Sequence, residues 1–270
     1  MKEKLPLFYW SNIRLQAREK ENYGDLLSAY LCEKIAGKPV KWVHPKKRKW
    51  FESRQHFLAI GSILGQATKY SHVWGSGIIE KDQDVAPATF YAVRGPVTRR
   101  RLTELQIPCS EIYGDPALLL PDFYTPPVEK SYELGWIPHY TDQKYIQDRE
   151  LPEEHVMIDV NTINVEETTK AILSCRKVIS SSLHGLIVAH AYGIPAVWIK
   201  ISNDLHGDDC KFQDYFESVG IKPYIPLCLE QISDGSVIFK NVPKSDQLPD
   251  PERIRAIRKD LLASCPFANE

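Results

Sequence analysis

A regular alternation of short apolar runs with longer amphipathic stretches restricts the fold of this chain more than any other feature. Runs suited to strands fall at residues 5–10, 40–43, 57–60, 72–74 and 90–93. A second set falls at 132–137, 155–159, 177–180 and 196–199. Several are continuous in apolar or β-branched residues, as expected of strands covered on both faces of a parallel sheet. Helix-compatible stretches lie between them at 25–36, 96–105, 165–174, 183–192, 212–219 and 251–263. The last opens with Asp250 as N-cap and Pro251 in the first turn, a well-formed start signal. This order implies an α/β fold with right-handed crossovers. The stretch 118–133, with Pro121, Pro126 and Pro127, separates the two sets, so the expected domains are 1–125 and 126–270 with a cleft between them.

Charge narrows the partners. The 34 Lys and Arg balance 35 Asp and Glu, which removes the basic excess of a dedicated nucleic-acid binder. An apolar fraction of 43% with 26% charged residues fits a globular chain and excludes a disordered one. The six cysteines are spread with no CxxC pair, so neither a zinc knuckle nor a thioredoxin-like motif is expected. No apolar run reaches the roughly 20 residues of a spanning helix, and a cytoplasmic location with reduced thiols is the expectation.

The most informative segment is VISSSLHGLIVAHAYGIPAVW, residues 178–198. A buried strand ends in three serines and a helix begins near Leu183. Ser181 or Ser182 suits the N-cap, and the free N–H groups there favour an anion. His184 falls in the first turn, where the helix dipole favours a neutral imidazole, either as a general acid or base or as a hydrogen-bonded structural residue. In the first half, ENYGDLL places Asn22, Tyr23, Gly24 and Asp25 at a helix start on the C-terminal edge of the sheet. Ligands of open α/β sheets bind at that edge. There Asp25 either caps the helix or acts as a base.

Further strand ends carry AIGSILG, with Gly61 and Ser62, and VWGSGI, with Gly75, Ser76 and Gly77. Neither has dinucleotide or P-loop spacing. In YAVRGP, Arg94 follows a strand and is expected to aim its planar fork at the cleft. In YGDPALLLP, Asp115 is expected to cap a turn. His139 follows another strand. In LHGDDCKFQDYF, Lys211 at a helix start is an anion-holding candidate, while His206, Asp208 and Asp209 match no metal-loop spacing. The basic, Trp-containing segment 38–50 and the last helix suit anionic headgroups, with docking on the protein itself as the competing expectation for that helix.

Taken together and in this order, ENYGDLL, AIGSIL, VWGSG, YAVRGP, YGDPALLLP, the SSSLHGLI segment and GDDCKFQDYF resemble the polysaccharide pyruvyltransferase family, in particular bacterial exopolysaccharide ketal pyruvyltransferases of the succinoglycan type. The resemblance implies a GT-B-like pair of Rossmann-like domains whose parallel sheets face a cleft. The acceptor side would be 1–125 and the donor side 126–270, with helix 251–263 packing back on the first domain. It implies transfer of pyruvate from phosphoenolpyruvate onto two hydroxyls of one hexose, in an oligosaccharide or a lipid-linked precursor, with release of phosphate. No cofactor or metal is implied; the balanced charge excludes a nucleic-acid partner, and a peripheral contact with the inner membrane surface stays an expectation from the basic segment and last helix, beside docking on the protein itself.

By motif, Arg94 and His184 match the arginine and histidine of the family's donor site. Some members have arginine two positions before that histidine; here it is Ser182, and Lys211 is the expected replacement. The donor site then comprises Arg94, Ser181, Ser182, Leu183, His184, Gly185 and Lys211. The acceptor side comprises Asn22, Tyr23, Gly24, Asp25, Gly61, Ser62, Gly75, Ser76, Gly77 and His139, with His184, Asp25 and Arg94 catalytic. The rival readings are a GT-B glycosyltransferase using a nucleotide sugar, a silent scaffold in glycan assembly, and a metal-dependent hydrolase built on His206, Asp208 and Asp209.

Overall fold

The computed structural model of the protein describes residues 4–47, 53–232 and 235–268. The chain begins with β1 (Leu5–Phe8), α1 (Asn12–Gln16), β2 (Glu21–Asn22) and α2 (Tyr23–Ala36), followed by β3 (Val40–Trp42), β4 (His56–Leu58), β5 (Ser71–Trp74) and β6 (Thr89–Ala92). Helices α3 (Pro96–Glu104) and α4 (Leu120–Phe123) precede β7 (Tyr132–Ile137), β8 (His155–Met157) and β9 (Asn161–Thr162). Then come α5 (Val165–Leu173), β10 (Cys175–Ser180), α6 (Leu183–Ala191), β11 (Ala196–Lys200) and α7 (Cys210–Val219). The chain closes with β12 (Leu227–Cys228), α8 (Gly235–Asn241) and α9 (Pro251–Ser264).

Two five-stranded parallel sheets result, ordered β3-β1-β4-β5-β6 and β12-β11-β10-β7-β8. The alternating side chains of their strands explain the continuous apolar runs. Leu5 and Leu7 face one core while Phe8 faces another, and Val178 and Ile179 divide in the same way. Where both faces are covered, successive strand positions are apolar, as Val178 and Ile179 are in β10. The core holding Leu5, Leu7 and Trp74 of the first sheet also holds Ile137, Val178 and Ala196 of the second. The halves are therefore joined by one apolar interior.

Polar links reinforce that join. Strands β2 and β9 pair antiparallel, Glu21 opposite Thr162 and Asn22 opposite Asn161. The Tyr23 hydroxyl bonds Thr169 Oγ1 at 2.8 Å, tying α2 to α5. Helix α9 starts where its cap signal puts it, the Asp250 carboxylate accepting from Glu252 N at 3.0 Å. It returns to the first sheet, where Trp74 Nε1 donates to Leu261 O at 2.9 Å. Just beyond it, the Phe267 ring packs edge-on to Phe57 and Trp74, with centroids at 5.0 and 5.3 Å.

The structure moves some expected boundaries. Helix α2 begins at Tyr23 with Asn22 as N-cap, so Asp25 lies in the first turn and does not cap it. The apolar run at the start of the proline-rich stretch is core, since Ala117, Leu118, Leu119 and Leu120 are fully buried. On α9, Ile254, Ile257 and Leu261 are buried against the protein itself, so its apolar stripe is not offered to a membrane. In the basic segment, Trp42 Nε1 donates to Tyr9 O at 3.0 Å, and residues 48–50 lie outside the described residues. Among the described residues no helix is long and apolar enough to cross a membrane.

Candidate active site between the two sheets

The strand ends of the two halves converge on a cavity of about 570 Å³. From the first half it takes Asn22, Asp25, Gly61 and Ser62, and from the second His139, Ser182, Leu183, His184 and Lys211. All nine are expected site residues. Trp10, Gln16, Gln66, Glu80, Tyr140 and His206 complete much of the wall; the sequence marks His206 only as a metal-ligand candidate, and no motif or periodicity marks the other five.

One wall is the start of α6. Ser182 is its N-cap in extended backbone conformation, with no side-chain cap bond, so the first N–H groups of the helix are left for a ligand. The turn before it is held from behind. The Ser181 hydroxyl donates to Asp142 Oδ2 at 2.6 Å and accepts from His139 N at 2.9 Å, so Ser181 supports the site without lining it. Gly185 packs against Ser180 Oγ and also stays out of the cavity wall.

Lys211, in the first turn of α7, is 9% exposed and borders the cavity. Burial, followed by the nearby Arg94 charge, lowers its pKa from 10.5 to about 8. Its acidic neighbour Asp209 pairs instead with Lys200 Nζ at 2.8 Å, leaving the Lys211 ammonium with no ion pair among the described residues. A buried ammonium without a counter-charge is costly, and an anionic ligand removes that cost. Beside it, burial and then the Lys211 charge lower His139 to about 3, so its ring is neutral. Nδ1 lies 2.8 Å from Thr141 Oγ1 and 3.3 Å from Thr141 N; accepting from that backbone N–H requires the tautomer with its proton on Nε2, which then serves as a donor.

The opposite wall accepts protons. Asp25 takes a bond from Asn22 Nδ2 at 2.9 Å, yet burial dominates and lifts its pKa from 3.8 to about 6. Asn22 Oδ1 is buried with no protein partner. Between the walls lies His184, whose Nε2 sits 3.5 Å from Asp115 Oδ2. Gly24 touches the same ring so closely that a Cβ there would overlap it. Gly24 thus shapes the site from behind, and Tyr23 belongs to the core.

Arg94 departs most from expectation. Its side chain is fully buried and turned away from the cavity. Nε donates to Asp214 Oδ2 at 2.9 Å, Nη1 to Ser62 Oγ at 2.5 Å and Nη2 to Ile78 O at 2.6 Å. A strand-end position does not fix which way a long side chain turns. Here the carboxylate of Asp214 on α7 draws the guanidinium inward, and Asp214 also accepts from Thr98 N and Thr98 Oγ1 at 2.9 and 2.7 Å. Gly77 lies flat on the guanidinium, where a Cβ would collide with it. Gly75 packs on Pro116 with φ of +93°, and Ser76 donates to Ala59 O at 2.7 Å. The VWGSG glycines therefore build the sheet edge and the arginine seat, not the cavity wall.

In the GDD segment, Asp208 accepts from Lys81 N and Cys210 N at 3.0 and 3.1 Å. Among the described residues no group of three or more His, Cys, Asp or Glu is placed to hold a metal ion.

Two parallel sheets whose strand ends enclose a helix start, a buried lysine and a buried acid form an α/β ligand site at the edge where such folds bind their substrates. The sequence profile of the family described as polysaccharide pyruvyl transferase matches residues 85–203. The chain is also 33% identical over 238 residues to the uncharacterized protein L143 of Acanthamoeba polyphaga mimivirus, an alignment covering 83% of this chain and 81% of that one. This chain belongs to the polysaccharide pyruvyl transferase family and is a transferase.

Proposed function

We propose that this cavity transfers pyruvate from phosphoenolpyruvate to two hydroxyls of one hexose of a polysaccharide or its lipid-linked precursor, forming a cyclic ketal and releasing phosphate. The observation that carries the reading is the division of the cavity into an unpaired cationic wall and an acceptor wall. Lys211 and the N–H groups at Leu183 and His184 suit the donor's carboxylate and phosphate. Asp25 and the free Asn22 Oδ1 suit two sugar hydroxyls. His139 Nε2–H supplies a neutral donor beside them. Arg94 contributes from behind, by fixing Ser62 and, through Asp214, the helix that carries Lys211.

In this reaction one sugar oxygen bonds to C2 of phosphoenolpyruvate as its methylene takes a proton and becomes methyl. The second oxygen then displaces phosphate from the same carbon. Of the two hydroxyl protons, one balances the methyl carbon and the other leaves with phosphate. His184 moves protons to and from the reacting centre, and Asp25 draws a proton from an acceptor hydroxyl. The test mixes the protein with phosphoenolpyruvate and hexose-terminated oligosaccharides, following phosphate release and ketal formation. His184→Ala is expected to lower turnover about 10²-fold or more at saturating donor and acceptor. Wild-type turnover in that variant would overturn the assignment.

A further inference from the structure

We propose that Asp115 is the positioning residue of this site, holding His184 in the tautomer whose Nδ1 is the working nitrogen. The inference rests on His184 as the acid–base group of the proposed reaction. Asp115 is fully buried, and its two oxygens have separate tasks. Oδ1 accepts from Ala117 N at 2.9 Å and caps the turn that follows. Oδ2 is buried and has no hydrogen-bond partner, and the same holds for His184 Nε2. These two orphaned atoms lie 3.5 Å apart.

A cap needs only one oxygen, so capping leaves the second carboxylate oxygen unexplained, and an unpaired buried acceptor is costly. The imidazole N–H of His184 satisfies it. A carboxylate only accepts, so the neutral ring keeps its proton on Nε2 and presents an unprotonated Nδ1. Gly24 closes on the Nδ1 side of the ring, where its missing Cβ makes room. The ring is therefore held between the GDP turn of the first half and the start of α2. When His184 gains a proton during transfer, the same carboxylate stabilises the imidazolium.

The test is Asp115→Asn. Asparagine keeps the Oδ1 cap, but its amide N–H faces Nε2 and forces the proton onto Nδ1. Nitrogen chemical shifts of isotope-labelled histidine are expected to show Nε2–H at His184 in the wild type and Nδ1–H in the variant. Turnover is expected to fall about 10²-fold or more while the KM for phosphoenolpyruvate stays within about threefold. A wild-type His184 protonated on Nδ1, or a variant with turnover within about threefold of wild type, overturns the proposal. If the variant does not fold, the wild-type tautomer alone decides. If the wild type transfers no pyruvate, the proposed function fails, while the tautomer still decides the Asp115–His184 pairing.

Discussion

In the proposed reaction, Asp25 is where catalytic need and folding stability oppose each other. Burial raises its pKa to about 6 from an ordinary 3.8. Within that window the native chain holds a proton that the unfolded chain has lost, so stability falls as pH rises through it. Above pH 6 the buried carboxylate is a net cost. Asp25→Asn should stabilise the protein at pH 7–8 by about 1–2 kcal/mol, read as a higher urea midpoint. The same substitution should lower pyruvyl transfer about 10²-fold, and wild-type transfer should rise with pH through about 6 as the base ionises. A variant both less stable and fully active would remove Asp25 from the proposed acceptor side. Asp115 and His184 show why part of the site was hidden at this scale. Each sits in a legible motif, a capped GDP turn and a helix start, but their contact depends on how two sheets pack.

Among the elements, those with a strong period were legible and the shortest were not. Strand β7 matches its expected bounds: Leu134, Gly135, Trp136 and Ile137 are buried in succession, as a strand covered on both faces requires, while Glu133 near its start is exposed. Strands β2, β9 and β12 have two residues each, too few to show any period. Arg94 was placed correctly at the end of a strand, but the direction of its side chain follows from Asp214 on α7. The end of the chain deserves a quantitative test. Phe267 is fully buried against Phe57 and Trp74, so residues after α9 complete the far side of the first sheet. Phe267→Ala should lower unfolding free energy by about 3 kcal/mol, measured by urea titration. A loss near zero would show that α9 and the residues after it are not integral to that sheet.

At the scale of the whole molecule, the two sheets share one apolar core and each supplies one wall of the cavity. The near balance of charge leaves no broad electrostatic attraction for an anion, so binding must depend on a few buried groups. In the proposed reading Lys211 is the decisive one: the cost of burying its ammonium is recovered when a negative ligand arrives. The most direct measurement is calorimetric titration of the protein with phosphoenolpyruvate, with nucleotides as controls, for wild type and Lys211→Met at pH 7 and 9. The expected result is one phosphoenolpyruvate site in the wild type, no nucleotide site, affinity about tenfold or more weaker in Lys211→Met, and weakening of the wild type as pH rises through about 8. Equal affinity in wild type and Lys211→Met, or a nucleotide binding in place of phosphoenolpyruvate, would contradict the central claim.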